Sequence, residues 1–264
     1  MPQANLLKSV EYFFAPNGRF EPCGMFSSHH IIASCFCALA VIFLVVLQRK
    51  NIIKFNKTKT YKFCAILLTV LETVKISHSF IYGDYYLDAW FPLSYCGLFI
   101  FALWMAGFGN NRIKMMGEVF ISYGCPCAGI AFLIFPTTSL MIFPIWHYFS
   151  LYSLFFHSLM IFVGIVTLSF EKQFTVKSFF NYAVFVITFS IPAVIINSAF
   201  NSNLMNLREP YNIPIQLLQN IYTSCGICYT LLAVFCYMLV PIVVAFIFRK
   251  IKPSISFKPN KRKL

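Results

Sequence analysis

The sequence is short of charge, and shorter still of negative charge. Only 11% of its 264 residues are charged, where a soluble domain carries about 25%, and 8 acids stand against 21 bases. That scarcity excludes water as the main solvent. A cleavable secretory signal of the usual form is not expected from the first residues either. Residues 1–28 mix Lys8, Glu11, Arg19 and Glu21, and the first long apolar run starts near His30. Cys225-Gly-Ile-Cys228 reads formally as CxxC, but no second pair at zinc-type spacing accompanies it. Metal or redox use is therefore not expected of it, and no metal, nucleotide, cofactor or acyl-carrier motif is visible elsewhere. Most of the cysteines, Cys225 and Cys228 included, lie in apolar runs, where Cys packs as a small hydrophobe.

What remains is oil and aromatic rings. Hydrophobic residues make up 59% of the chain, with 32 Phe and 14 Tyr, and mean hydropathy is +0.74. Seven apolar segments can be drawn, at about 30–48, 61–82, 91–108, 114–135, 147–170, 178–200 and 221–248. At about 20 residues per span they predict an all-α, polytopic membrane helical bundle of about seven transmembrane helices over 30–248. A segment of 29 residues precedes it, and a basic tail, 249–264, follows.

The connections predict which way the bundle faces. Arg49, Lys50, Lys54, Lys57, Lys59 and Lys62 lie between the first two segments or at the start of the second, with no acid among them. Asp84 and Asp88 follow the second segment, with no base. Arg112 and Lys114 then precede the fourth segment, and no charged residue lies between the fourth and fifth. Lys172 and Lys177 against Glu171 come next, Arg208 cancels Glu209 before the last segment, and the tail is basic throughout. Every second connection is basic, so the positive-inside rule puts the N-terminus outside and the C-terminus in the cytoplasm. The net charge of +13 thus reads as a topology signal, and nucleic acid is not an expected partner.

Polar groups inside spans are costly and mark function or a paired contact. Glu72, Lys75 and His78 stand three apart on the second segment, near one helix face. Two readings are open for them: a self-neutralising ion pair, or a row lining a proton or solute path. The third segment, FPLSYCGLFIFALWMAG (residues 91–107), reads as a spanning helix opened by Pro92, with Cys96 roughly 8 Å inside it. His157 lies roughly 15 Å into the fifth segment on the same geometry. His30 falls at the outer end of the first segment and His78 near that of the second. Asn197, Asn201, Asn203 and Asn206 cluster at the end of the sixth. These positions predict one polar pocket in the outer half of the bilayer, with Cys96 as nucleophile and His157 as base.

Four stretches also resemble the YwaF-like integral membrane protein family, the transmembrane protein 164 family, in the family's order. They are FSSHHI (residues 26–31), FPLSYC (91–96), SLFFHSLMI (153–161) and NSNLMNLREP (201–210). The resemblance covers roughly 22–240 and puts the family histidines on His30 and His157 and its cysteine on Cys96. It departs at Ser94, where the family often has histidine, and at Leu204, where it has tyrosine. It implies a cysteine-dependent acyltransferase that moves a fatty acyl chain between phospholipid and lysophospholipid.

The expected function is therefore a membrane-embedded lipid acyltransferase or transacylase working through an acyl-thioester on Cys96. His157 serves as base, and His30, Glu72, Lys75, His78, Ser94, Asn201, Asn203 and Asn206 support or bind substrate. Its partner is membrane lipid, in a bacterial cytoplasmic membrane or an organelle. The alternative is a transporter or ligand-binding membrane protein using Glu72, Lys75 and His78.

Overall fold

A computed structural model describes residues 10–170, 175–211, 213 and 215–250, and among these the secondary structure is helical with no strand. The helices are α1 (Ser28–Arg49), α2 (Lys57–Tyr82), α3 (Leu87–Trp90), α4 (Leu98–Phe108), α5 (Asn111–Ile134), α6 (Tyr148–Phe170), α7 (Val176–Phe200), α8 (Gln216–Ser224) and α9 (Gly226–Lys250). Two 3₁₀ turns, Ser139–Met141 and Leu204–Asn206, sit in connections. Six helices, α1, α2, α5, α6, α7 and α9, are long and apolar enough to cross a membrane. The basic tail beyond Lys250 lies outside the described residues, as do Lys8, Glu171 and Lys172.

Local chemistry sets the boundaries. Ser27 Oγ accepts the His30 N–H at 3.2 Å and Asn56 Oδ1 accepts the Lys59 N–H at 3.1 Å. Each satisfies an amide that the first helical turn leaves without a partner. Gly83 closes α2 at φ 84°, a left-handed conformation that costs glycine little.

The third apolar segment differs from its reading as one spanning helix. Residues 91–97 form a turn, and only Leu98–Phe108 is helical. Eleven residues reach about 16 Å at 1.5 Å each, roughly half of a 30 Å hydrocarbon core. Pro92 disfavours helix at the residue before it. Two residues further on, Ser94 diverts the backbone: its Oγ accepts the Gly97 N–H at 2.9 Å and its carbonyl accepts the Leu98 N–H at 3.1 Å. Cys96 accordingly sits in the turn before α4, not inside a helix.

The bundle is organised around α5, which packs against α4, α6, α7 and α9. Its most apolar stretch is 72% buried inside the protein, against 11% for those of α1 and α9. Water gives no reason for this arrangement, because lipid is as apolar as the side chains; close backbone approach does. A Cβ on Gly117 would stand 2.5 Å from the Ala102 carbonyl of α4, and one on Gly129 would stand 2.8 Å from the His157 carbonyl of α6. On the flanks, Ile31, Phe36, Leu39 and Phe43 of α1 and Ile227, Leu231 and Phe235 of α9 remain exposed, as lipid-facing surfaces require.

Contrary to expectation, Cys225 and Cys228 are joined as a disulfide. The break between α8 and α9 at Cys225 brings the two side chains within bonding reach, which a reading of them as packing residues did not anticipate.

Candidate active site

Four of the five histidines are buried, and their hydrogen bonds divide them. Phe26 N–H donates to His30 Nδ1 at 3.0 Å, so the Nε2–H of that ring is the donor to the Leu133 carbonyl at 3.1 Å. His147 is held in the same way: Phe149 N–H donates to Nδ1 at 3.1 Å, and Nε2–H donates to the Ala15 carbonyl at 3.1 Å. His78 Nε2–H is shared between the Phe14 and Ala15 carbonyls, each at 3.2 Å. These three rings fasten backbone. His30 pins α1 to the end of α5, while His78 and His147 clamp residues 14–15 into the bundle.

His157 is the reverse case. Its Nδ1–H donates to the Ser153 carbonyl, one turn back on α6, at 2.7 Å. Its face stacks on Phe132 at 3.7 Å and 6°. A ring that donates from Nδ1 carries its basic lone pair on Nε2. Among the four buried histidines, only this one has its Nδ1–H tied to a carbonyl and its Nε2 left as the acceptor.

Cys96 is half-buried against the core. It lies within electrostatic reach of Cys127 and Cys125 on α5 and of Tyr237 on α9. Tyr95 beside it stacks on Tyr237 at 4.3 Å and bonds the Tyr182 hydroxyl at 2.6 Å, and Tyr182 donates in turn to the Tyr237 carbonyl at 2.9 Å. This all-tyrosine strut fixes the turn that carries the thiol. Cys96 and His157 are not hydrogen-bonded to each other. Both adjoin one stretch of α5, Cys96 within electrostatic reach of Cys127 and His157 beside Gly129 and Phe132. Phe99, three residues after Cys96, meets Phe156, the residue before His157, edge-on at 5.7 Å.

The intramembrane charges form a third group. Lys75 Nζ pairs with Glu72 Oε1 at 2.5 Å, and the Tyr152 hydroxyl donates to Glu72 Oε2 at 2.7 Å. Lys75 lies within electrostatic reach of His157. Both carboxylate oxygens are thus satisfied, which is what makes a buried charge tolerable. His78 departs from this row and faces Ala15.

The asparagines lie in a fourth. Asn197 Oδ1 accepts from the Leu204 N–H and the Ser202 hydroxyl, and its Nδ2 donates to the Leu204 carbonyl. Asn203 Oδ1 accepts the Arg208 and Glu209 N–H groups while its Nδ2 donates to the Glu209 carbonyl. Both amides are committed to shaping residues 201–211. Asn201 ends α7 in the left-handed region, and the carbonyl of Asn206 accepts from the Tyr229 hydroxyl. The Asn203 N–H donates to Asp88 Oδ1 at 2.8 Å. Partial burial lifts the Asp88 carboxyl above its ordinary range, the Asn203 N–H pulls it back, and Glu209 adds to the rise.

The single pocket read from the sequence therefore resolves into four groups. A cleft of about 520 Å³, lined by Asn17, Arg19, Tyr86 and Tyr211 among others, includes none of the expected site residues. His147, Tyr152, Cys127 and Tyr237 escaped the sequence reading. Only Tyr152 had a signal there, since a buried Glu72 calls for a donor on a neighbouring helix.

The fold defines a polytopic helical membrane protein with a cysteine turn and a basic imidazole set against its central helix. The chain belongs to the TMEM164 family, whose family model matches residues 25–248. No characterised protein and no solved structure matches it.

Proposed function

We propose that the protein is a membrane-embedded, cysteine-dependent lipid acyltransferase or transacylase, with its acid-bearing end on the outer side of the membrane. The observation that carries this reading is the tautomer of His157. A base must offer a lone pair. His30 and His147 spend theirs on backbone N–H groups, and His78 keeps an unpartnered Nδ1 but lies against residues 14–15. His157 keeps Nε2 as an acceptor beside α5. The resemblance to an acyl-transferring family and the half-buried Cys96 thiol support it further.

The ester carbonyl of a phospholipid enters from the bilayer between the two residues. Cys96 Sγ attacks the carbonyl carbon as its proton passes to His157 Nε2. The tetrahedral carbon collapses to a thioester, and the departing lysolipid oxygen takes the proton back. A lysolipid hydroxyl, deprotonated at Nε2, then attacks the thioester and regenerates the thiol. The amino end of α4 begins two residues after Cys96, and its partial positive charge offsets part of what burial costs the thiolate, so the proton is handed over as attack begins. Glu72, Lys75 and Tyr152 hold α2 against α6 beside His157. Donor, nucleophile and product all stay within the membrane, which suits a chain made almost wholly of spans.

The test is intact mass of protein purified with native lipid, before and after neutral hydroxylamine, beside Cys96→Ala. A fatty-acyl increment that hydroxylamine removes and the variant lacks is expected. Absence of any increment when acyl-donor phospholipid is supplied would overturn the reading and move attention to transport through Glu72 and Lys75.

A further inference from the structure

Acyl transfer makes no use of the disulfide between Cys225 and Cys228. Its place argues against a mere staple. A bond that closes so short a loop removes little freedom from the unfolded chain, so loop closure gives it small stabilising value. It sits instead at a corner: Cys225 is the one extended residue, at φ −158° and ψ 94°, between α8 and α9. Cys228 is exposed in the first turn of α9, and its N–H donates to Cys225 Sγ at 3.3 Å.

That corner grips residues 201–211 from two sides. From α8, Gln219 donates to the Pro210 carbonyl at 3.0 Å and the Tyr222 hydroxyl to Glu209 at 3.3 Å. From α9, Tyr229 donates to the Asn206 carbonyl at 2.8 Å, Thr230 to the Leu207 carbonyl at 2.7 Å and Tyr237 to the Met205 carbonyl at 2.6 Å. The gripped segment includes Met205 at φ 58°, a left-handed conformation that a side chain of this size adopts only when its surroundings impose it.

We propose that Cys225–Cys228 is a thiol–disulfide exchange site whose substrate is a dithiol, and that its redox state decides whether the corner holds residues 201–211 in place. A thiolate of the dithiol attacks the exposed Cys228 Sγ. The S–S bond breaks and its electron pair leaves on Cys225 Sγ, where the Cys228 N–H and the amino end of α9 stabilise the thiolate before it takes a proton. The second thiol of the reductant then displaces Cys228. The protein gains two electrons and two protons, and the dithiol becomes a disulfide. With the corner open, Cys225 is free to leave its extended conformation, and α8 releases Pro210 and Glu209.

The experiment uses the full chain in phospholipid nanodiscs, equilibrated with glutathione buffers of varied ratio and, in a second arm, with dithiothreitol. Alkylation followed by peptide mass reads the two cysteines, and amide hydrogen exchange reads residues 201–211. The expected result is reversible opening in both reagents, with exchange at 201–211 rising ~10-fold or more and exchange in α5 unchanged. Cys225→Ser/Cys228→Ser shows the raised exchange in every buffer. A pair that stays closed until the protein unfolds overturns the proposal, and so does opening that leaves 201–211 unaltered. Should the double variant fail to fold, the reduced wild type carries the same test. Neither readout depends on acyl transfer.

Discussion

Two irregular segments lie against the same end of the bundle and are built in opposite ways. Residues 201–211 use their polar groups internally: Asn197 and Asn203 spend both ends of their amides on neighbouring backbone, and Leu204, Met205 and Leu207 are buried. Residues 91–97 use one side chain, Ser94, to start α4 and leave the Cys96 thiol with no role in holding the turn together. The first segment is scaffold that happens to be polar. The second is a turn held rigid from outside, by Tyr95 on Tyr182 and Tyr237, so that a reactive group is presented without having to stabilise anything.

Substitutions should separate the two segments in a graded way. The largest effect is expected from Cys96→Ala, which should lower acyl transfer on the order of 10³-fold or more with the melting temperature in lipid unchanged. A melting temperature that falls with the activity would make Cys96 part of the scaffold and remove the contrast. His157→Gln should cost about 10²- to 10⁴-fold in turnover. Turnover of His30→Gln should stay near wild type once folding is normalised, because that ring only fastens α1 to the end of α5.

On the scaffold side, Asn197→Ala leaves the buried N–H of Leu204 without a partner and its carbonyl with the Leu207 N–H alone. It should destabilise the fold by about 1–3 kcal/mol, read by thermal melting in detergent. Ser94→Ala removes the hydrogen bond to the Gly97 N–H that shapes the turn before α4 and should cost about 1 kcal/mol; a larger loss of activity than of stability would show that this bond also aims Cys96. The smallest effect concerns Asp88. Its folded pKa is raised, so the native state binds the proton more tightly than the unfolded chain does. The associated stability is present below the unfolded carboxylate pKa and fades as pH rises through the folded value. Asp88→Asn should flatten the part of the melting profile that lies just above the ordinary Asp pKa of about 4.

The glycines and the helix ends show how far local chemistry reaches. Gly83 after the second apolar run and Ser27 before the first are recognisable in sequence as a stop and a start, and the structure uses them so. Gly117 and Gly129 carry no such mark: what makes them necessary is a carbonyl on another helix. The same limit explains the site. Glu72 with Lys75 is legible because three residues apart on a helix are neighbours, and the pair forms. His78 shares that spacing but turns to Ala15, a partner 63 residues away. The seemingly uniform set of polar residues at one depth separates for this reason, since depth fixes one coordinate and leaves the angle around the bundle undecided.

The sequence by itself determined that the chain lives in a membrane and marked seven apolar stretches, six of which form helices long and apolar enough to cross it. Hydropathy and length are properties of each segment alone, and a bilayer tests each helix separately. It also determined membership of the family, through short stretches in order. Only the tertiary structure decided that the third apolar run is half a span, that Cys225 meets Cys228, and that one buried histidine of four keeps a basic Nε2. Each of these turns on which backbone group lies opposite a side chain after packing, and no periodicity along the chain encodes that.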